Sequence, residues 1–331
     1  MDFQVLKKLI EDNDSFLITT HVNPDADAIG SEIALYKVLK KLGKIIHIIN
    51  HSYTPYYLQF LDPKSIIKRF NPDIDRKYFD EADVLIGLDF NRLNRLVSME
   101  KAFSESKKIK VSIDHHQDSE DFVNYSFDDD RYSATGHILY DFIKKTGIVE
   151  LDYDIAYPLY AAIMTDTGSF RFERTNAELH RIIANLLDLG VDPVEVYDKV
   201  YDQSKLGKIR LLGKALDSIK LISENRIGYM FLTRKDFIES DASESDTDGF
   251  VNYTLSIENV VLGMLFIELK NGFKVSFRSK GKIPVDKLAA QFGGGGHINA
   301  AGVRFDALSM NKEMNNILMS AEKFLTNNYQ E

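Results

Sequence analysis

The sequence of 331 residues contains no cysteine, and it has no long apolar run. Without cysteine the protein cannot form disulfides, thiolate zinc sites or iron–sulfur clusters, and its composition suits a reducing compartment. No stretch approaches the ~18–20 uninterrupted apolar residues that a membrane-spanning helix needs. Residues 1–12 also lack the basic start and apolar core of a signal peptide. We therefore expect a cytoplasmic protein that makes no membrane contact.

An excess of basic side chains is also missing, because 41 Lys and Arg face 50 Asp and Glu, for a formal charge of −9. Proteins that bind long nucleic acid neutralise many phosphates with lysine and arginine, and an acidic surface opposes that binding. A small phosphorylated substrate held by metal ions needs no such surface. The charge therefore argues against long duplex nucleic acid as a partner and leaves short phosphorylated substrates open.

Residues 1–190 alternate short apolar runs with amphipathic segments, a pattern typical of βα units and a mainly parallel sheet flanked by helices. The pattern predicts strands at 16–20, 45–50, 84–88 and 109–113, and helices at about 28–42 and 152–164. Ligands of open α/β sheets bind at the carboxyl ends of the strands. We therefore expect a binding site where these strands end.

The character of the sequence changes near residue 190. Residues 191–220 are predicted to form a helical linker, and residues 221–331 a smaller α/β domain. This second domain has predicted strands at 227–232, 260–269 and 273–277, a helix at 285–291, a run of four glycines and a final helix. The acidic stretch 240–249 is interpreted as a solvated loop.

Four segments of the first domain place carboxylate or imidazole side chains directly after apolar stretches. A single aspartate in such a place is most often a helix cap or a turn residue. Four such cases in sheet order instead favour one shared site for cations. Arg92 and Arg95, which follow one of these segments, are interpreted as solvated side chains. The candidate ligands are His21, Asp25, Asp27, Asp89, Asp114, His115, His116 and Asp166.

The charges of these groups indicate how many cations they hold. Asp25, Asp27, Asp89 and Asp166 would repel one another strongly unless about two divalent cations neutralised them. Oxygen and imidazole ligands without sulfur favour Mn²⁺, and Mg²⁺ or Co²⁺ would also fit. Two such ions ~3.5–4 Å apart commonly flank a phosphate during ester hydrolysis. The pattern therefore predicts a two-metal phosphoesterase.

Four motifs resemble those of the DHH phosphoesterases, a family named for the triplet that stands here as Asp114-His115-His116. Residues 21–31, HVNPDADAIGS, are similar to the family pattern H-x-x-P-D-x-D-x-x-G-S, although the middle residue is Ala26 where glycine is common. Leu88-Asp89 and residues 164–170, MTDTGSF, match two further motifs. Residues 292–302, FGGGGHINAAG, resemble the hallmark of the DHHA1 domain. The resemblance spans nearly the whole chain and is strongest to the NrnA-type nanoRNases.

This resemblance implies a DHH catalytic domain at residues 1–190, a DHHA1 substrate-binding domain at 221–331, and an active-site cleft between them. It implies that His21, Asp25 and Asp89 hold one ion, and that Asp27, Asp89, His115 and Asp166 hold the other. His116 would donate a hydrogen bond to the scissile phosphate, while Asp114 would orient a histidine. The attacking group would be a hydroxide held by the two ions.

The run of four glycines is neither a Walker loop, because no Lys-Ser or Lys-Thr follows it, nor a dinucleotide fingerprint. Glycines let backbone amides approach an anion closely, and arginine binds phosphate with two parallel hydrogen bonds. The resemblance implies that this segment holds a terminal phosphate or its ribose. The residues expected to do so are Arg278, Gly294, Gly295, Gly296 and His297.

The activity implied by the resemblance is hydrolysis of short RNA, including linear dinucleotides such as pApA, to mononucleotides. Release of phosphate from 3′-phosphoadenosine 5′-phosphate (pAp) to give AMP is a further implied activity, and a homodimer is an implied assembly. Three other functions stay open at this point. They are a cyclic dinucleotide phosphodiesterase, a family II-like inorganic pyrophosphatase and a non-catalytic RNA-binding module.

Overall fold

The structure is a computed structural model that describes residues 1–328, except for the side chains of His297 and Asn328. It consists of two compact units, one formed by residues 1–203 and the other beginning at residue 204. Both units combine a sheet with helices, which confirms the predicted two-domain α/β fold. Among the described residues, none of the helices is both long and apolar enough to cross a membrane.

The first unit is built on a sheet of six parallel strands in the order β3-β2-β1-β4-β5-β6. Two short 3₁₀ segments, Tyr56–Leu58 and Leu93–Met99, join its elements. The strands are β1 Ser15–Thr20, β2 Ile45–Asn50, β3 Ile67–Arg69, β4 Val84–Leu88, β5 Ile109–Asp114 and β6 Tyr125–Asp128. The helices are α1 Phe3–Asp12, α2 Ala26–Lys41, α3 Pro72–Glu81, α4 Glu100–Glu105, α5 Thr135–Thr146, α6 Tyr153–Asp166, α7 Ala177–Asp188 and α8 Pro193–Tyr201.

Alternate residues of the central strand β1 enter hydrophobic clusters on opposite faces of the sheet. Phe16 and Ile18 belong to one cluster, and Leu17 belongs to the other. Burial on both faces explains why the central strands have continuous apolar runs that sequence analysis could recognise. The edge strands β3 and β6 were not predicted, because they have only three and four residues and are partly exposed.

Helices α2 and α6 pack closely because position 30 is glycine. A Cβ atom at Gly30 would lie 2.5 Å from the carbonyl oxygen of Pro158, a distance that no real Cβ tolerates. Helix α2 begins beside the end of β1, and α6 ends at Asp166. This contact therefore helps to hold together two helices that present candidate ligands.

The second unit contains a mixed sheet in the order β11-β12-β10-β9-β8-β7, in which β8 and β9 are parallel and the other pairs antiparallel. Its strands are β7 Lys220–Ile222, β8 Ile227–Leu232, β9 Leu262–Leu269, β10 Gly272–Ser279, β11 Gly295–His297 and β12 Ala300–Asp306. Its helices are α9 Leu206–Asp217, α10 Arg234–Ser240, α11 Asn252–Leu255, α12 Val285–Ala290 and α13 Met310–Asn328. The segment predicted as a helical linker contains α8 and α9, which residues 202–205 separate.

The interpretation of residues 240–249 as a solvated loop is wrong. Asp246 and Thr247 are buried, and a 3₁₀ turn, Glu244–Thr247, forms there. Glu244 pairs with Lys274 at 2.9 Å and with Arg304 at 3.2 Å. The acidic stretch therefore packs against basic side chains of β10 and β12, a match that cannot be read from the stretch alone.

Candidate metal centre

The loop after β1 and the first turn of α2 deliver three of the candidate ligands, His21, Asp25 and Asp27. Asp25 is the N-cap of α2, and its Oδ1 accepts hydrogen bonds from the backbone N–H groups of Asp27, at 3.0 Å, and Ala28, at 3.1 Å. His21 is buried, and its Nδ1 lies 2.9 Å from the carbonyl oxygen of Val22. The cap fixes the direction of α2, so one aspartate both starts the helix and stands beside the centre.

The carboxylate of Asp27 is held by the beginning of α5. It accepts hydrogen bonds from the backbone N–H of Thr135 at 2.7 Å and of Gly136 at 2.9 Å, and from the hydroxyl of Ser31 at 3.1 Å. The amino end of a helix offers unpaired N–H groups and a partial positive charge, which favour an anionic side chain. These bonds fix the position of a fully buried carboxylate.

Asp89 follows β4 and lies at the middle of the centre. Its backbone has a φ of 66°, in the left-handed region that few non-glycine residues adopt. Its carboxylate is 3.5 Å from Nε2 of His21 and 3.4 Å from Nε2 of His115, and it accepts a hydrogen bond from the hydroxyl of Thr135 at 3.1 Å. The Asp89 carboxylate therefore lies between the two imidazoles.

The end of β5 supplies two adjacent histidines. Oδ1 of Asp114 accepts hydrogen bonds from Nδ1 of His116 at 2.6 Å and from the backbone N–H of His115 at 2.9 Å. Nε2 of His115 lies 3.2 Å from Oδ2 of Asp166, at the end of α6, and 3.7 Å from Oδ2 of Asp27. Asp114 contacts the histidines directly, in the geometry expected of a residue that orients them.

The candidate ligand atoms form three overlapping groups, and within each group the atoms lie within 4.8 Å of one another. One group is His21, Asp25 and Asp89, and a second is Asp27, His115 and Asp166. Asp89 joins both histidines of the triplet in the third group. Side chains from four separate segments thus converge at the carboxyl edge of the parallel sheet, as the sequence predicted.

The electrostatics of these groups fit a cation. Burial and the nearby Asp89 carboxylate raise the pKa of Asp27 well above its ordinary value, and burial raises the pKa of Asp166 to about 6. Burial alone would also raise the pKa of Asp89, but hydrogen bonds from His115 and His21 hold it well below its usual range. Divalent cations would relieve the repulsion among these carboxylates, so the residues present suit the predicted cations.

In the second unit, the four glycines run into β11, which pairs with β12. Gly295 is opposite Gly302, and position 297 is opposite Ala300, which in turn is opposite Arg278 in β10. Arg278 and position 297 therefore share one row of the sheet. The His297 side chain lies outside the described residues, so the structure says nothing of the group that it presents.

Two family models and one relative decide the classification. Residues 15–163 match the N-terminal domain of the DHH family, and residues 226–327 match the DHHA1 domain. A protein of Thermus thermophilus, described as the bifunctional oligoribonuclease and PAP phosphatase NrnA, is 31% identical over 309 residues, covering 93% of this chain and 90% of its own. The chain belongs to the DHH family. The predicted resemblance and the hydrolase class are confirmed.

Solved structures agree with this membership. An exopolyphosphatase-related protein of Bacteroides fragilis superposes on this DHH protein with a TM-score of 0.92 at 33% identity, over 98% of this chain and 97% of that one. RecJ of Thermus thermophilus in complex with Mn²⁺ gives a TM-score of 0.58 at 12% identity, over 99% of this chain and 55% of RecJ. At that identity the second comparison shows a shared fold alone.

Sequence analysis missed several residues that support the centre of the DHH protein. Thr135 and Ser31 hold the carboxylates. Ser31 ends the motif at residues 21–31, but nothing in the local sequence of Thr135 distinguishes it. Arg95 is exposed, as interpreted, but its Nη2 is also 3.3 Å from Nδ1 of His21, and its carbonyl oxygen accepts from the N–H of Val22. The roles of Thr135 and Arg95 depend on long-range contacts, which the sequence does not display.

A buried glutamate lies beneath the loop that follows β1. Glu32 in α2 is fully buried, and its Oε2 accepts a hydrogen bond from Nδ2 of Asn50 at 2.8 Å. Its Oε1 has no hydrogen-bond partner among the described residues. Oδ1 of Asn50 in turn accepts from the backbone N–H of Thr20, next to His21, at 3.2 Å. Burial raises the pKa of Glu32 from 4.5 to about 8.

We expect the stability of the Glu32→Gln variant to increase relative to that of the wild type as the pH rises from 5 to 8. In that range the unfolded chain loses the Glu32 proton while the folded protein keeps it, so the wild-type free energy of unfolding falls. Glutamine does not titrate, so the variant escapes this loss. Urea unfolding at several pH values would measure the difference, with the exposed Glu178→Gln as the control. If the difference in unfolding free energy between Glu32→Gln and the wild type did not change with pH, the raised pKa of Glu32 would be contradicted.

The glycine segment offers a second prediction, based on a pair of neighbours. A Cβ atom at Gly294 would lie 2.3 Å from the carbonyl oxygen of Gly302, whereas at Gly295 nothing lies within 4 Å. We expect Gly294→Ala to destabilise the fold by about 1–3 kcal/mol and Gly295→Ala by less than about 0.5 kcal/mol.

If the backbone at Gly295 approaches a phosphate, the added methyl of Gly295→Ala should raise KM severalfold without changing the melting temperature. Steady-state kinetics and thermal unfolding of the two variants would check both effects. An unchanged KM for Gly295→Ala would remove this residue from the substrate-binding set.

Proposed function

We propose that this DHH protein is a Mn²⁺-dependent hydrolase of short oligoribonucleotides, including linear dinucleotides such as pApA, which it cleaves to mononucleotides. We propose that it also converts 3′-phosphoadenosine 5′-phosphate to AMP. The main support is the pair of adjacent ligand groups that Asp89 links. The name of the Thermus relative, an oligoribonuclease and PAP phosphatase, supports the choice of substrates.

In this proposal His21, Asp25 and Asp89 hold one divalent cation, and Asp27, Asp89, His115 and Asp166 hold the other. When bound, such cations activate water and offset the charge of the substrate phosphate. Mixed imidazole and carboxylate ligands favour Mn²⁺ over Mg²⁺. The hydrogen bonds from Thr135, Gly136 and Ser31 keep the carboxylate oxygens in place, which lowers the cost of reorganisation during the reaction.

His116 is the proposed donor to the scissile phosphate. Asp114 accepts the hydrogen of Nδ1, and we assign Nε2 as the ring nitrogen that would donate to a phosphate oxygen. Burial would lower the pKa of His116, but the Asp114 carboxylate raises it above its ordinary value, so the donor form is favoured. The charge that develops on the phosphate would strengthen this hydrogen bond.

Substrate recognition is assigned to the DHHA1 sheet, through Arg278 and the segment from Gly294 to His297. Burial lowers the pKa of Arg278, a sign that its guanidinium is partly desolvated and would interact strongly with an anion. This set can neutralise only a few phosphates, and the protein is acidic overall. Long chains gain their affinity from many phosphate contacts, so short substrates suit this protein better.

The test is an assay of purified protein with Mn²⁺ and labelled RNAs from two to about 24 nucleotides long, with pAp, a cyclic dinucleotide and pyrophosphate in parallel. We expect the fastest hydrolysis for RNAs of two to about five nucleotides, release of phosphate from pAp, and loss of both activities with a chelator. Equal rates at all lengths, or pyrophosphate as the best substrate, would contradict the proposal.

A homodimer and a cytoplasmic location stay predictions, and light scattering would test the first.

A further inference from the structure

Tyr53 lies in the loop that follows β2, and at 72% exposure it is the most exposed aromatic residue that the structure describes. The guanidinium of Arg69, at the end of β3, lies 4.8 Å from the centre of its ring. The arginine covers one face of the ring, and because the residue is still so exposed, the other face is open to solvent. Tyr53 and Arg69 thus form a flat surface on the first unit, which we call the aromatic platform.

The aromatic platform lies at the same edge of the sheet as the candidate metal centre. Strands β1, β2 and β3 are parallel neighbours, so their carboxyl ends meet at one edge. His21 follows the end of β1, and Arg69 is level with Asn50, the last residue of β2. Neighbouring strands are about 4.8 Å apart, so about 10 Å separates the ends of β1 and β3. This distance is comparable with the length of a nucleotide from its phosphate to its base.

Hydrogen bonds fix the loop of Tyr53 on both sides. The hydroxyl oxygen of Ser52 accepts a hydrogen bond from the backbone N–H of Asn23 at 3.0 Å, and Asn23 belongs to the loop that carries candidate metal ligands. Nε of Arg69 donates a hydrogen bond to the carbonyl oxygen of His51 at 3.4 Å. The aromatic platform is therefore joined to the metal-binding loop through neighbouring residues of a single segment.

The charge at this edge suits a phosphate chain. Arg69 and Arg92, which follows β4, are both exposed, and within residues 1–328 neither forms an ion pair with a carboxylate. The protein as a whole has a formal charge of −9, so uncompensated arginines at one place stand out against an acidic surface. Such a local positive field attracts phosphates and raises their concentration beside the centre.

We infer that Tyr53 stacks on the base of the nucleotide that follows the scissile phosphate on its 3′ side. The inference rests on the proposed function and deepens it. That function assigns a terminal phosphate to the DHHA1 sheet, which leaves the aromatic platform for the other end of the substrate. A dinucleotide has a nucleoside beyond its scissile phosphate, whereas pAp ends at its 3′-phosphate. Tyr53 therefore serves oligonucleotides and not pAp, and because every base has a π-face, it serves them without base preference.

The test compares pApA and pAp as substrates of full-length Tyr53→Ala at saturating Mn²⁺. We expect KM for pApA to rise roughly tenfold, within the range that alanine substitution of a stacking aromatic residue gives, while KM for pAp stays at the wild-type value. The turnover number for pApA should change by less than about twofold, because stacking contributes equally before and during the reaction. The exposed position of Tyr53 leads us to expect an unchanged melting temperature.

Two further variants complete the test. Tyr53→Trp keeps a flat ring and should leave KM for pApA close to the wild-type value. Tyr153→Ala is the matched control, because Tyr153 is also exposed and its ring also has a partner, Tyr157, at 5.6 Å. It begins α6, about 20 Å along the helix from Asp166, and we expect wild-type KM for both substrates.

A purely structural Tyr53 would affect both substrates alike, because its loop is bonded to the loop that carries the candidate ligands. An equal rise of KM for pApA and pAp, or an unchanged KM for pApA, would therefore overturn the inference. A rise with Tyr53→Trp as large as that with Tyr53→Ala would do the same.

The two proposals fail in different ways. If the wild-type protein hydrolyses neither short RNA nor pAp with Mn²⁺, the proposed function fails. Fluorescence anisotropy of a labelled RNA dinucleotide, with the wild type and with Tyr53→Ala, then still tests the stacking contact, and equal affinities would overturn it. If the wild type hydrolyses both substrates but Tyr53→Ala does not separate them, the role of Tyr53 alone is wrong.

Discussion

Asp89→Asn is expected to lower kcat/KM for a dinucleotide by roughly a thousandfold or more. The Asp89 carboxylate lies between Nε2 of His21 and Nε2 of His115, and it is the group proposed to bind both cations. An amide keeps the size of the side chain but removes the negative charge and one of its two oxygen ligands. A catalytic metal contributes several kcal/mol to the transition state, and each 1.4 kcal/mol is about tenfold in rate.

Steady-state kinetics and calorimetric Mn²⁺ titration would measure this effect, and both proposed cation positions should weaken. Asp75→Asn provides a matched control, because Asp75 is also buried and accepts a backbone hydrogen bond, from Asn71 at 2.7 Å, but lies in α3 outside the ligand groups. We expect the control to keep wild-type activity. Turnover of Asp89→Asn within a few-fold of the wild type would remove the central element of the proposed function.

His116→Ala is expected to lower kcat by about 10²–10³-fold while KM changes little. Loss of one positioned donor to a developing negative charge typically has that effect. The variant also decides between two roles, because His116 lies close enough to Asp89 and His115 to be a cation ligand itself. A donor to phosphate can be lost without change in Mn²⁺ affinity, whereas a ligand cannot.

Calorimetric Mn²⁺ titration and steady-state kinetics would also measure the effects of His116→Ala. Asp114→Asn should give a smaller loss of kcat, about 10–100-fold, because the contact that orients His116 is weakened and not removed. Weaker Mn²⁺ binding by His116→Ala would show that His116 is a cation ligand. A full effect of Asp114→Asn with no effect of His116→Ala would show that Asp114 acts through another group.

Burial on both faces explains the strand that sequence reasoning found most directly. Strand β4 was predicted to the residue, because its continuous, fully buried apolar run ends at Asp89. Strand β2 was also predicted to the residue, although His47 interrupts its run and its first three residues are not fully buried. The edge strands β3 and β6 have no such run. The segment 240–249 was misjudged because Glu244 finds its basic partners on β10 and β12, far along the chain.

The candidate site also contains residues that the sequence predicted and residues that it did not. The proposed ligands could be named from the sequence because acidic and imidazole side chains follow apolar runs in motifs of fixed spacing. Most of their supports could not, because threonine and arginine are common residues whose contacts here are long-range. Thr135 meets Asp89 across 46 residues, and Arg174 meets His115 across 59. Only the folded topology displays these pairs.

The spacing of the proposed ligands, from residue 21 to residue 166, also bears on how the protein folds. Each must be brought to one edge of a parallel sheet, and closing such long loops costs entropy before any contact compensates for it. No short fragment can assemble the cluster, so a ribosome-bound chain that ends before Asp166 lacks it. If the proposed cations bind, they would stabilise only the completed unit, by an amount set by the ratio of the free cation concentration to its dissociation constant. Metal supply would thus control how long the finished enzyme resists unfolding and proteolysis.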